Sequence, residues 1–155
     1  MIATIEKRSS KYVLGMKSSM HHNEFGKIVE LWKRFMPNRK SIINAINTEY
    51  IALQVYDDFN NFESAFDIWA CVEVSDVNNI PTNMKAFIIP EGEYAKFLHK
   101  GMDASATYQK IMREWLPTSG YIIDDRPHFQ VMGEKYKNGS SDSEEDFYIP
   151  VKPKN

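Results

Sequence analysis

Apolar and polar positions alternate along residues 65–74, Ala-Phe-Asp-Ile-Trp-Ala-Cys-Val-Glu-Val. Phe66, Ile68, Ala70, Val72 and Val74 share one face, and Asp67, Trp69, Cys71 and Glu73 the other, as the two-residue period of a strand requires. The same period runs through residues 50–57, 128–136 and 146–152. If the most apolar set of each strand faces the core, then Ile51, Leu53, Val55, Phe129, Val131, Phe147, Ile149 and Val151 point inward. Gln54, Tyr56, Gln130, Met132, Asp146 and Tyr148 then join Asp67, Trp69 and Glu73 on the opposite face. A slip of one residue would exchange the faces of any of these strands.

Two other stretches follow the helical period. Phe25, Ile28, Val29, Trp32, Phe35 and Met36 fall on one face of a helix with Asn23 as its cap and Pro37 at its close. Tyr108, Ile111, Met112, Trp115 and Leu116 do the same behind Asp103 and before Pro117. Both stripes read as core. Each helix follows a similar strand run, at residues 12–20 and 94–102, and precedes two further strands. This order predicts a duplicated strand-helix-strand-strand unit, with pseudo-repeats at about 11–75 and 84–153 joined through residues 78–83. Trp32 and Trp115 would occupy equivalent places. The whole chain, 1–155, reads as one α+β domain, an antiparallel sheet with two main helices on one face and a ligand cleft on the other. A seam between repeats is a common place for such a cleft. The polar run 137–145 reads as a hairpin loop.

Charge narrows the function classes. The chain has 19 basic and 21 acidic residues and no basic stripe to follow a phosphate backbone, which argues against a direct nucleic-acid partner. No apolar run reaches the roughly 20 residues that span a bilayer. The single Cys71 cannot form an intrachain disulfide and reads as a buried, inert thiol, and the first residues carry no signal-peptide pattern. A cytoplasmic protein without a membrane partner is expected. The seven glycines are too scattered for a phosphate cradle, and His21 and His22, being adjacent, diverge, so neither cofactor nor metal is predicted. His99 reads as a structural turn residue and His128 as a solvent-exposed residue at a strand entrance.

Four runs, taken in order, carry a resemblance. They are residues 89–101 (Ile-Pro-Glu-Gly-Glu-Tyr-Ala-Lys-Phe-Leu-His-Lys-Gly), 115–121 (Trp-Leu-Pro-Thr-Ser-Gly-Tyr), Pro127-His128-Phe129, and 146–152 (Asp-Phe-Tyr-Ile-Pro-Val-Lys). Together they resemble the GyrI-like effector-binding domains, which occur alone or fused to AraC-type and MerR-type DNA-binding modules. About ten residues precede the first strand, which fits the stand-alone form. The resemblance implies a cleft for amphipathic, often cationic aromatic molecules, held by an acid and surrounding aromatics. Family members commonly read Phe-Glu-x-Tyr where this chain reads Phe129-Gln130-Val131-Met132. Glu73, Asp67 and Asp146 are then the remaining carriers of negative charge, with Trp69 and Tyr148 as stacking surfaces beside Tyr56, Gln54, Gln130 and Met132. The expectation is non-catalytic binding of a small molecule. The alternatives are a hydrolase of cyclopropane-containing compounds, disfavoured by Gln130 and Met132, and a gyrase-inhibitor-like protein-interaction module. A protein partner or homodimer is left open.

Overall fold

The computed structural model describes residues 1–61 and 63–155. Its strands are β1 (Thr4–Arg8), β2 (Lys11–Met20), β3 (Tyr50–Tyr56), β4 (Phe66–Val74), β5 (Lys85–Ile89), β6 (Gly92–Lys100), β7 (Tyr121–Ile123), β8 (His128–Met132) and β9 (Glu144–Pro153). Helix α1 (Gly26–Phe35) lies between β2 and β3, and α2 (Ala104–Lys110) between β6 and β7. The helical path of α2 continues as one π-type turn, Ile111–Trp115. All strand pairs are antiparallel, in the order β1-β6-β9-β8-β3-β4-β2-β5, with β7 beside β9.

That order forces the sheet to curl. Five strands lie between β5 and β6 in the sheet, a span of about 29 Å if it were flat. Yet only Pro90 and Glu91 join the two strands, and three Cα steps reach about 11 Å. The two ends of the sheet are therefore drawn together, and the face away from the helices closes on itself. Val13, Ile51, Leu53, Trp69, Cys71, Ile89, Tyr94, Phe129, Val131 and Tyr148 form one buried cluster there. Phe129 stacks on Tyr148 at 4.7 Å and meets Tyr94 edge-on at 5.3 Å. The face expected to hold an open cleft is packed core, with Trp69 only 5% and Tyr148 only 4% exposed.

The helices cover the other face in two separate patches. Leu31 and Phe35 of α1 pack on Leu14, Met16, Ile68, Ala70 and Val72. Ile111 of the α2 path packs on Phe97, Phe147, Ile149 and Val151. β4 and β9, each in the patch beneath a helix, therefore show the predicted parity. β3 and β8 lie in the middle, between the patches, and theirs is reversed. Pairing fixes this: Ala52 is opposite Ala70 and Gln130, and Gln130 is opposite Phe147, so these four share the helix side. Ile51, Leu53, Val55, Phe129 and Val131 face the closed core instead. The reason is that the deeper apolar environment in mid-sheet is the curled interior, whereas the helix side there is uncovered.

Three helix expectations also change. Asn23 has φ 79°, and α1 starts at Gly26 with no side-chain cap, whereas Asp103 Oδ1 does accept the Ala106 amide at 3.0 Å. Phe25, Ile28, Val29 and Met36 are exposed, so the apolar stripe of α1 is wider than its buried strip. Trp32 follows the buried anchor Leu31 directly, whereas Trp115 lies four residues after its anchor, Ile111, where α1 has Phe35. The two tryptophans are thus not in equivalent positions.

Candidate functional site

Between the two helix patches the sheet floor is lined by half-buried side chains. Gln54 and Gln130 sit at its centre on neighbouring strands, and their amides bond reciprocally: Gln54 Nε2 donates to Gln130 Oε1 at 2.9 Å, and Gln130 Nε2 to Gln54 Oε1 at 3.0 Å. Ala52 beside them leaves the floor low. Trp32 stands on the α1 side, 6.1 Å from Tyr50. Phe25, Ile28, Val29 and Met36 lie on the same flank of α1 at spacings of three, four and seven. From the α2 side Tyr108 reaches in, its Oη 2.7 Å from His128 Nδ1.

One end of this groove is aromatic. Tyr56 packs against Phe66 at 4.7 Å, Phe59 at 5.2 Å and His128 at 5.1 Å, and Phe59 stacks on His128 at 4.8 Å. Contrary to the expected exposure, His128 is 1% exposed, and burial drives its pKa down to about 3. It is neutral at physiological pH. Burial raises the Tyr56 hydroxyl to about 12 and Tyr108 well above its usual range, so both phenols keep their protons.

The other end holds an acid that periodicity did not single out. Glu145 is opposite His99 in the β6–β9 pairing, and His99 stacks on Phe147 beneath α2, which puts Glu145 on the helix side. Val131 pairs with Asp146, so one step on Glu145 lies beside Met132, which itself pairs with Tyr50. Among the described residues the Glu145 carboxyl has no ion pair or side-chain hydrogen bond. Burial, with a smaller push from Asp146, raises its pKa to about 7. In the sequence Glu145 sat at the edge of the polar run 137–145; the only sign of its place was that two residues on, Phe147, is core.

The residues singled out from sequence divide between the two faces. Gln54, Tyr56, Gln130 and Met132 line the groove. Asp67, Trp69, Glu73, Asp146 and Tyr148 belong to the closed face, and the expectation that all nine share one cleft is corrected. On that closed face each acid has a partner: Glu73 with Lys11 at 3.2 Å, Asp67 with Lys17 at 3.6 Å, Asp146 with Lys96 at 4.0 Å. Its aromatics are capped too, Tyr148 by Arg8 at 4.7 Å and Trp69 by Lys17 at 6.0 Å. Two open cavities, of about 510 and 460 Å3, lie at the β1–β2 turn and beside residues 79–83, and neither is lined by an aromatic residue. His99 is held by Thr107 at 2.8 Å, a structural role. Cys71 is buried, its thiol pushed up by burial. No helix among the described residues is long and apolar enough to cross a membrane.

A curled antiparallel sheet with two helices on one face and an aromatic groove between them is the architecture of GyrI-like effector-binding domains. Within that class, the chain belongs to the Cass2 family, integron-associated effector binding protein, whose profile matches residues 4–151. Its fold is similar to that of SAV2435, solved with bound tetraphenylphosphonium, at 15% identity and TM-score 0.68 over 98% of this chain and 94% of the other. It is also similar to the integron cassette protein VCH_CASS2 from the mobile metagenome of Vibrio cholerae, at 16% identity and TM-score 0.65 over 97% and 95%. The C-terminal domain of EcmrR matches at 15% identity and TM-score 0.71 over 98% of both chains. Identities this low establish the fold alone. No curated protein matches the chain in sequence.

Proposed function

We propose that this protein binds a small amphipathic, cationic aromatic molecule in the groove between α1 and α2. The observation that carries the reading is an unpaired, half-buried carboxylate, Glu145, on the same sheet face as Trp32, Tyr50, Tyr56 and Tyr108. A partly desolvated acid gains most from a cation, and aromatic faces attract the same charge. The exposed flank of α1 supports the idea, because Phe25, Ile28 and Val29 leave apolar surface for an incoming ligand to cover. The binding of tetraphenylphosphonium by SAV2435 is consistent with it. Isothermal titration with tetraphenylphosphonium tests the reading: a Kd in the micromolar range, weakened at least tenfold by Tyr56→Ala, supports it, and no heat at millimolar ligand removes it.

A second reading, hydrolysis of a bound strained-ring compound, draws on Tyr136, whose pKa burial raises and the nearby Glu145 charge raises further. Such chemistry needs a proton donor and an acid or base within reach of one molecule. Product detected by mass spectrometry with wild type and absent with Glu145→Gln would establish it.

A further inference from the structure

We infer that the paired amides of Gln54 and Gln130 set the groove's specificity, selecting aromatic ligands whose ring carries a carboxamide or lactam edge, a hydrogen-bond donor and acceptor side by side. This rests on the groove reading above and goes further, because it names the polar group that the ligand presents to the floor. The two amides hold each other in one orientation: Gln54 Nε2 donates to Gln130 Oε1 at 2.9 Å, and Gln130 Nε2 donates back to Gln54 Oε1 at 3.0 Å. Such a closed pair sets the nitrogen of each amide beside the oxygen of the other. An amide has two N–H donors and an oxygen with two lone pairs, so one N–H and one lone pair of each stay unused. Neither side chain makes another hydrogen bond among the described residues. Along either edge of the pair, a free N–H of one glutamine therefore lies about 3 Å from a free lone pair of the other.

The surroundings give this edge a ring platform on either side. Along β3 the groove face runs Tyr50, Ala52, Gln54, Tyr56, successive members about 7 Å apart. Tyr50 stands by Trp32, and Tyr56 by Phe59 and Phe66, so the amide pair lies between two aromatic groups. Ala52, opposite Gln130, adds neither bulk nor a polar side chain. His128, opposite Gln54, is bonded to Tyr108 and stacked on Phe59, so it does not compete for the amides. A planar ring packed on either platform brings its substituent over the pair. A carboxamide or lactam there replaces the water on both the free N–H and the free lone pair. A ligand of the same shape without that edge strips the water and leaves one of them unmet, which costs affinity. A ketone supplies only the acceptor, and a carboxylate supplies no donor.

The test is isothermal titration with two cations of equal charge and nearly equal size, 1-benzyl-3-carbamoylpyridinium and 1-benzyl-3-acetylpyridinium, which differ only by an amino group in place of a methyl. Tetraphenylphosphonium runs alongside as the probe of the groove itself. Wild type should bind the carboxamide about fivefold or more tighter than the ketone, a step of the size one net hydrogen bond gives. Gln54→Met combined with Gln130→Met removes both amides at similar volume and should bring that ratio near one. Gln130→Met alone, the second variant, breaks the pair and lets the remaining amide turn, so it should lower the ratio as well. Circular dichroism confirms that the variants fold. A wild-type ratio under about two, or a ratio that survives the double substitution, overturns the inference while the groove reading stands. Binding of tetraphenylphosphonium with no binding of either pyridinium does the same. If none of the three probes binds, the inference and the groove reading both fail.

Discussion

Trp69→Ala separates the two faces of the sheet most sharply. The sequence pattern makes Trp69 a stacking surface of a ligand cleft; in the structure it is 5% exposed, packs on Phe87 at 5.5 Å and belongs to the cluster of Leu53, Phe129 and Tyr148. Replacing a buried aromatic of that size by Ala removes its transfer energy and leaves a cavity, a cost of about 3 to 5 kcal/mol. A domain of this length has roughly 5 to 15 kcal/mol to lose, and each kcal/mol moves Tm by about 2 to 4 °C, so Tm should drop by about 6 to 20 °C. Urea denaturation followed by far-ultraviolet circular dichroism gives the free energy directly, and Trp69→Phe should show a smaller loss of the same sign. Titration with tetraphenylphosphonium well below the new midpoint should return a Kd within about threefold of wild type. A stability loss under about 1 kcal/mol together with lost binding would refute the assignment of this face to the core.

Three further perturbations follow from named contacts. In Gly15→Ala a Cβ would stand 2.6 Å from the Cα of Cys71 and overlap the Ala70 carbonyl, backbone atoms of the paired strand; a loss of about 3 kcal/mol or more in urea denaturation is expected. Glu145 holds its proton more tightly in the folded state, so its contribution is full below about pH 4.5 and lost as pH rises through about 7. Glu145→Gln should therefore stabilise the unliganded protein at pH 8 by about 1 to 2 kcal/mol, after discounting for solvent screening, and leave it unchanged at pH 4. His128 has the opposite sign: its folded pKa is depressed, so stability is full above about 6.5 and declines as pH falls towards 3, by at most ~1.4 kcal/mol per pH unit. A pH series of urea midpoints in wild type and His128→Gln should show that slope only in the wild type.

Periodicity made the elements legible and misread the faces of two of them. β4 and β9 alternate in the way their burial demands, because each has a helix on one side and the curled interior on the other. β3 and β8 have no helix above them, so the rule that the more apolar set faces the helices inverted Gln54, Tyr56, Gln130 and Met132. Nothing in a single strand's pattern reveals which side a distant helix will cover. The link through Pro90 and Glu91 is visible in the sequence, but its force on the sheet appears only once the strand order is known. His128 looked like an exposed strand entrance because its shield, Phe59, comes from a loop some seventy positions earlier. Glu145 was hidden for a related reason: it was grouped with a polar loop, while pairing with His99 extends β9 back to Glu144.

On the groove reading, ligand enters between the helices and leaves the curled interior untouched. The three tryptophans report on three places: Trp32 on the groove wall, Trp69 in the closed face, and Trp115 packed on Phe97. A 1H–15N correlation spectrum of the full chain, recorded during titration with tetraphenylphosphonium, resolves their indole N–H signals in one experiment. A saturating shift of the Trp32 indole and of the Gln54 and Gln130 side-chain amides is expected, with Trp69 unmoved. A dominant shift at Trp69 with Trp32 unchanged would contradict it.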